Sequence, residues 1–220
     1  MFYKTEVNDH GMNYDPFKAI VTPRPIGWIG SVDKEGIANL APYSYFNAIS
    51  DKPYFIMFSS ADYKDSVRNC EENIDFTCSL VSENLFDAMN NSSVPVEPEV
   101  DEFNLSGIKK EQGNLVRAPY VKGCSAALEC RYWKTIDLPG SNRKEATGNF
   151  LVIGEVVGIY IDDNAIVDGR FDTASVRPLG RLGYMDYGVV GKENIFSKNR
   201  PKLNKEGQLE SVEQWDGIYR

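Results

Sequence analysis

The octapeptide SSADYKDS, residues 59–66, sets two serines and a lysine around the point where an apolar run gives way to a helical pattern. A helix start there exposes N–H groups and carries positive dipole character. Ser59 and Ser60 add hydroxyl donors, and Lys64 adds a full charge. Such a set suits a terminal phosphate. The plainer alternative is that Ser60 or Asp62 only caps the helix.

A second candidate is Arg24, held between Pro23 and Pro25. Each proline restricts its own φ and the residue before it, so Arg24 has little conformational entropy left to lose. A guanidinium set in place this way suits a planar or anionic ligand group, although a solvated loop arginine has the same sequence. Downstream, in ANLAPYSYFN (38–47), Asn39, Ser44 and Asn47 offer donors, and Ala41 and Pro42 let backbone approach a flat ligand. Tyr43, Tyr45 and Phe46 read equally well as strand packing.

The other common chemistries are poorly supplied. The chain has a single histidine, His10, in an N-terminal segment expected to fray at the surface. A multi-histidine metal site or a HExxH helix is therefore impossible within one chain, and a Ser-His-Asp triad would hang on His10. Neither GxGxxG nor GxxxxGK[ST] occurs. Chemistry, if present, comes from a cofactor.

These residues need strands to hold them. Residues 25–32 and 37–46 flank Asp33-Lys34-Glu35-Gly36, the composition of a type I turn closed by a left-handed glycine, and so predict a hairpin. YFIMFSS (54–60) reads as a strand buried on both faces. Residues 64–73 suit a short amphipathic helix through Val67 and Cys70. A strand over 74–81 and a helix over 83–93 follow, then an exposed excursion with one helical turn. Residues 125–136 and 149–163 are the longest strands, joined by LPGSNRKEATG, and the chain closes with a polar tail from Lys198. Many strands and few crossover helices predict one mainly β unit, an antiparallel barrel with short peripheral helices.

The chain of 220 residues has 42% hydrophobic and 25% charged residues, ordinary for a globular domain. A net charge of -8 argues against nucleic acid as a partner, since phosphate neutralisation needs clustered Lys and Arg. The longest apolar stretch, residues 150–161, is too short to span a bilayer and contains Glu155, so no membrane is expected. The four cysteines show no CxxC spacing and read as reduced, mostly buried thiols of a cytoplasmic protein.

In this order, TPRPIGWIGSVDKEGIANLAPYSYFNAIS, PYFIMFSS and KDSVRNCEEN resemble the flavin reductase-like proteins with an FMN-binding split barrel. MNNSSVPVEPEVDEFNLSGI, the strand with ALEC, LVIGEVVGIYI and RPLGRLGY fit the same family, so the likeness runs from about residue 12 to 187. It implies a six-stranded antiparallel Greek-key barrel, one domain over 1–220, and a homodimer with FMN near its interface. It places the phosphate on Ser59, Ser60, Lys64, Asp65 and Ser66, with Asp65 orienting Lys64 or accepting from backbone N–H groups. Around the isoalloxazine and ribityl chain it places Arg24, Pro25, Ser31, Asn39 and Ala41, together with Pro42, Tyr43, Ser44 and Asn47. Tyr160 stands where the family often has histidine. The implied activity is hydride transfer from NADH or NADPH to FMN and onward to free flavin or another acceptor, including a protein. A non-enzymatic FMN carrier or sensor is the alternative.

Overall fold

The computed structural model describes residues 1–140, 146–215 and 217. Its centre is an antiparallel sheet of β1 (Gly27–Val32), β2 (Ala38–Tyr43), β3 (Phe46–Asp51), β4 (Tyr54–Ala61), β5 (Asp75–Leu80), β6 (Ala126–Pro139) and β7 (Ala146–Ile161). The neighbour order is β2-β1-β5-β6-β7-β4-β3. The two edge strands, β2 and β3, are therefore consecutive in the chain, separated only by Ser44 and Tyr45. A link this short spans about 10 Å, so the two edges must approach and the sheet curls into a split barrel. The Ser59 N–H donates to the Tyr45 carbonyl (2.8 Å), which carries the β3–β4 ladder one residue past Phe46 toward the split.

The sheet among the described residues has seven strands, where six were expected. The single run expected over 37–46 breaks at Ser44–Tyr45 and continues on the opposite edge. Pro42 fits an edge strand because it pairs with Trp28 on one side and has no N–H to offer the other.

The β1–β2 turn follows its sequence. Gly36 has φ +89°, its N–H donates to Asp33 O (3.2 Å), and Asp33 Oδ1 accepts from Ile37 N (2.7 Å). Every residue of β1 is buried. One face packs into the barrel through Ile29, alongside Phe58, Phe76 and Val152. The other packs outward through Trp28 with Leu40, Met89 and Phe103. The outer layer is covered by α2 (Phe86–Asn91) and α3 (Glu102–Leu105), and Trp28 Nε1–H donates to Ser92 Oγ (2.9 Å). At Gly154 on β7 a Cβ would lie 2.4 Å from the Phe76 ring, so only glycine lets that ring close the barrel interior.

One end of the barrel is plugged by α1 (Asp65–Asn73), which inserts Val67 and Cys70 into the interior core. β4 alternates more than its apolar sequence suggested. Ile56, Phe58 and Ser60 are buried, whereas Phe55, Met57 and Ser59 are half-buried, because their face looks away from the barrel interior. His10 also departs from expectation. It is buried, accepting from Met12 N through Nδ1 (3.0 Å) and meeting Tyr3 edge-on at 5.1 Å. The connection 141–145 lies outside the described residues, and the polar tail carries a small hairpin pairing Lys202–Leu203 with Leu209–Glu210. No helix among the described residues is long and apolar enough to cross a membrane.

All four cysteines are free and buried, and burial raises the Cys70 and Cys130 thiols well above their ordinary value and Cys78 to about 12. They are protonated thiols, unsuited to nucleophilic chemistry.

Glu129, on β6, is 2% exposed and pins the 114–115 loop. It accepts from Asn114 N (2.8 Å), Leu115 N (2.6 Å) and Asn114 Nδ2 (3.1 Å). Burial pulls its pKa up, but the N–H donors outweigh that and leave it lowered from 4.5. A depressed carboxylate stabilises the fold above its unfolded pKa, and that contribution disappears as pH falls through the folded value. Glu129→Gln should cost about 1–2 kcal/mol at pH 7 and progressively less below 4.5, read as urea midpoints across pH. An equal cost at both ends would overturn this role.

Candidate functional site

The strand-to-helix joint begins where β4 ends at Ala61. Asp62 adopts φ +69° and accepts Lys64 N–H at its carbonyl (3.0 Å), which turns the chain into α1. Lys64 occupies the cap position in extended conformation, and no side chain caps the helix. The capping alternative for Ser60 or Asp62 therefore does not hold. Ser60 Oγ instead donates to the Asp62 carbonyl (3.0 Å). The leading N–H groups of a helix have no intrahelical partner, so this end stays open to an anion. Among the described residues the exposed Lys64 ammonium forms no ion pair.

Asp65 corrects an expectation. Its carboxylate pairs with Arg68 Nη2 at 2.6 Å, one turn along the helix, rather than orienting Lys64. The i,i+3 spacing puts both on one helix face. The pair turns the negative charge along the helix side.

Behind the joint lies a buried polar cluster. Asn39 of β2 donates through Nδ2 to Ser66 Oγ (2.9 Å) and Ser31 Oγ (3.3 Å). Asn69 Nδ2 donates to the same Ser31 oxygen (3.2 Å). β1 and β2 bring Ser31 opposite Asn39, and α1 delivers Ser66 and Asn69 from above. Tyr43 completes the set. Its hydroxyl is directed toward Ser66 and Ser60 without a hydrogen bond of ordinary geometry to either, and burial raises its pKa. The Asn69 Oδ1 atom is likewise buried and unpaired. Asn69 was missed by sequence reasoning. Its signal was the Ser66/Asn69 stripe at i,i+3 beside apolar Val67 and Cys70.

The remaining predicted residues scatter. Ala41, Pro42 and Ser44 are half-buried along the split, and Ser59 flanks the joint with its side chain half-buried. Asn47 is exposed on β3 with Oδ1 accepting from Ala48 N (2.9 Å). Pro25 is exposed and pairs with Gly180 in a separate small sheet.

Arg24 differs most from expectation. It is 7% exposed, and its guanidinium donates to the carbonyls of Lys18, Val21 (2.5 Å) and Leu182 (2.9 Å). Three carbonyls converge because the Phe17–Ile20 helix ends there and packs on Gly183, where a Cβ would lie 2.5 Å from Ala19 Cβ. Arg24 is thus a brace for the loops beside β1, with three bonds to backbone carbonyls, while its buried Nε–H has no partner among the described residues.

An apolar groove of about 280 Å³ opens where Phe46, Leu80, Leu128 and Ile159 meet, with Ile26 and Phe171 at its sides.

The arrangement provides an anion cradle of helix N–H groups, hydroxyls and Lys64, next to a split edged by small residues. The uncapped helix start and the orphaned Tyr43 hydroxyl are donors of the kind a phosphate needs, and the small residues along the split admit close approach of a flat ring.

The model of the Flavin reductase like domain matches residues 20–180. An uncharacterized protein of Deinococcus radiodurans is 35% identical over 183 residues, 77% of each chain. One of Halalkalibacterium halodurans is 32% identical over 88% of this chain and 93% of its own. Among solved structures, nitrilotriacetate monooxygenase component B from Bacillus cereus superposes with a TM-score of 0.80 at 27% identity, covering 89% of this chain and 98% of that one.

Proposed function

The chain belongs to the flavin reductase-like family, and on that premise we propose that it is an FMN-dependent oxidoreductase. NADH or NADPH is the proposed hydride donor, and free flavin or another acceptor, including a partner protein, receives the electrons. Bound flavin supplies the redox chemistry, so the protein needs no catalytic acid or base. The observation that carries this reading is the uncapped start of α1, with Lys64 unpaired among the described residues and hydroxyls around it.

In this reading Lys64, the Ser66 hydroxyl and the free N–H groups of the first turn hold the phosphate, with Ser59 and Ser60 beside them. Ala41 and Pro42 allow the ring to approach backbone, and Ser44 and Asn47 offer donors to the ribityl chain. The 1–220 chain acts as one flavin-binding domain. A second copy covering the apolar groove at Phe46 and Ile159 would make the proposed homodimer and shield the flavin from water. Four reduced, buried thiols agree with a cytoplasmic setting.

Anaerobic titration of the FMN-loaded protein with NADH and with NADPH tests the reading. Bleaching of the flavin absorbance by one of them is expected. Retained FMN that neither nucleotide bleaches would overturn the nicotinamide step and leave a flavin carrier fed by a partner. Sedimentation of the loaded protein should give a dimer mass, and a monomer with full FMN occupancy would refute the assembly.

A further inference from the structure

The cluster behind the helix start has a constrained inventory of protons. An amide nitrogen only donates, so the Ser66 oxygen accepts from Asn39, and the Ser31 oxygen accepts from both Asn39 and Asn69. These contacts leave the Ser66 hydroxyl proton unused, and the one oxygen directed toward it, Tyr43 Oη, forms no hydrogen bond of ordinary geometry with it. The position of Ser66 in the first turn of α1 puts its hydroxyl among the free N–H groups. Asn69 sits one turn further along α1 with its amide nitrogen engaged by Ser31, so it acts on the helix start through that contact. Two atoms of the same cluster, Tyr43 Oη and Asn69 Oδ1, are buried without partners. Native structures rarely keep such atoms together unless a ligand or water completes the network.

We propose that Asn69 is a positioning residue for the anion site: by holding Ser31 it fixes the Asn39 amide between Ser31 and Ser66, which aims the Ser66 hydroxyl at a phosphate monoester. The proposal rests on the FMN reading above and adds a residue that touches no ligand atom. Its mark is selectivity. An aimed hydroxyl matters for a flavin that carries a phosphate and hardly at all for one that lacks it, whereas a general loosening of the fold weakens both.

The test measures FMN and riboflavin affinity by flavin fluorescence for the full-length wild type, Asn69→Ala, Ser66→Ala and the double variant. Asn69→Ala should weaken FMN about fivefold and riboflavin less than about twofold, and Ser66→Ala should weaken FMN about tenfold. The double variant should bind FMN within about twofold of Ser66→Ala, because Asn69 acts through Ser66. Ser31→Ala, a smaller change, provides a second route if Asn69→Ala does not fold and should show the same selective loss. Equal losses for FMN and riboflavin, or losses that multiply in the double variant, would overturn the positioning role while leaving FMN binding intact. A wild-type protein that binds neither flavin would instead remove the FMN reading on which the proposal rests.

Discussion

Arg24→Ala should unfold at a markedly lower temperature while its FMN affinity stays within about threefold of wild type when measured well below the transition. The guanidinium is buried and holds the carbonyls of Lys18, Val21 and Leu182 together, so its removal frees three acceptors at once. Hydrogen bonds to a charged donor contribute about 1.5–3 kcal/mol each, and water reaches some of the freed carbonyls, which leaves a net loss of about 2–4 kcal/mol. For a chain of this size that corresponds to roughly 5–12 °C in Tm. Arg24→Lys should fall between the two, since one ammonium cannot span the three positions a planar fork reaches. The measurements are a calorimetric scan and a flavin titration. A tenfold loss of FMN affinity with an unchanged Tm would show that Arg24 serves the flavin, as the P-R-P spacing first suggested.

The second large effect is expected at Lys64. Lys64→Ala should weaken FMN by about 1.5–3 kcal/mol, roughly ten- to a hundredfold, the range of a charge-assisted hydrogen bond. Two accompanying signs separate a phosphate contact from a structural role. Riboflavin affinity should not change, and the difference between wild type and variant should shrink as salt rises, because Lys64 is exposed and its charge is screened. Stability should barely move, since Lys64 makes no ion pair among the described residues. Unchanged FMN affinity would remove the phosphate from this end of α1.

The two variants test opposite readings of two cations that looked equally suited to a ligand. Their difference was not legible locally. Lys64 keeps its ammonium free because its backbone turns at Asp62 and its helix is uncapped. Arg24 is engaged because the chain turns the Lys18 and Val21 carbonyls back onto it and the fold brings Leu182, 158 positions away, beneath it. Asp65 shows the same limit on a smaller scale: expected to orient Lys64 or accept from backbone N–H groups, it pairs with Arg68, one turn along the helix.

Much was written into short stretches. The turn at Gly36, the amphipathic helix 64–73 and the long β6–β7 pair follow from turn chemistry and hydrophobic periodicity, which act within a few residues. The donor set Ser59, Ser60 and Lys64 was also local, since a strand end and a helix start supply it. The crossing at Ser44–Tyr45 was not. A continuous polar-aromatic run reads as one strand, and only the approach of the two sheet edges breaks it into β2 and β3. The polar cluster likewise needed the fold: Ser31, Asn39, Ser66 and Asn69 come from two strands and a helix, and each is an unremarkable polar residue until burial forces it to find partners. The sequence by itself determined which groups were available to hold a phosphate. The tertiary structure decided which of them remain free to do so, because hydrogen-bond partners distant in the chain become neighbours only when the barrel closes.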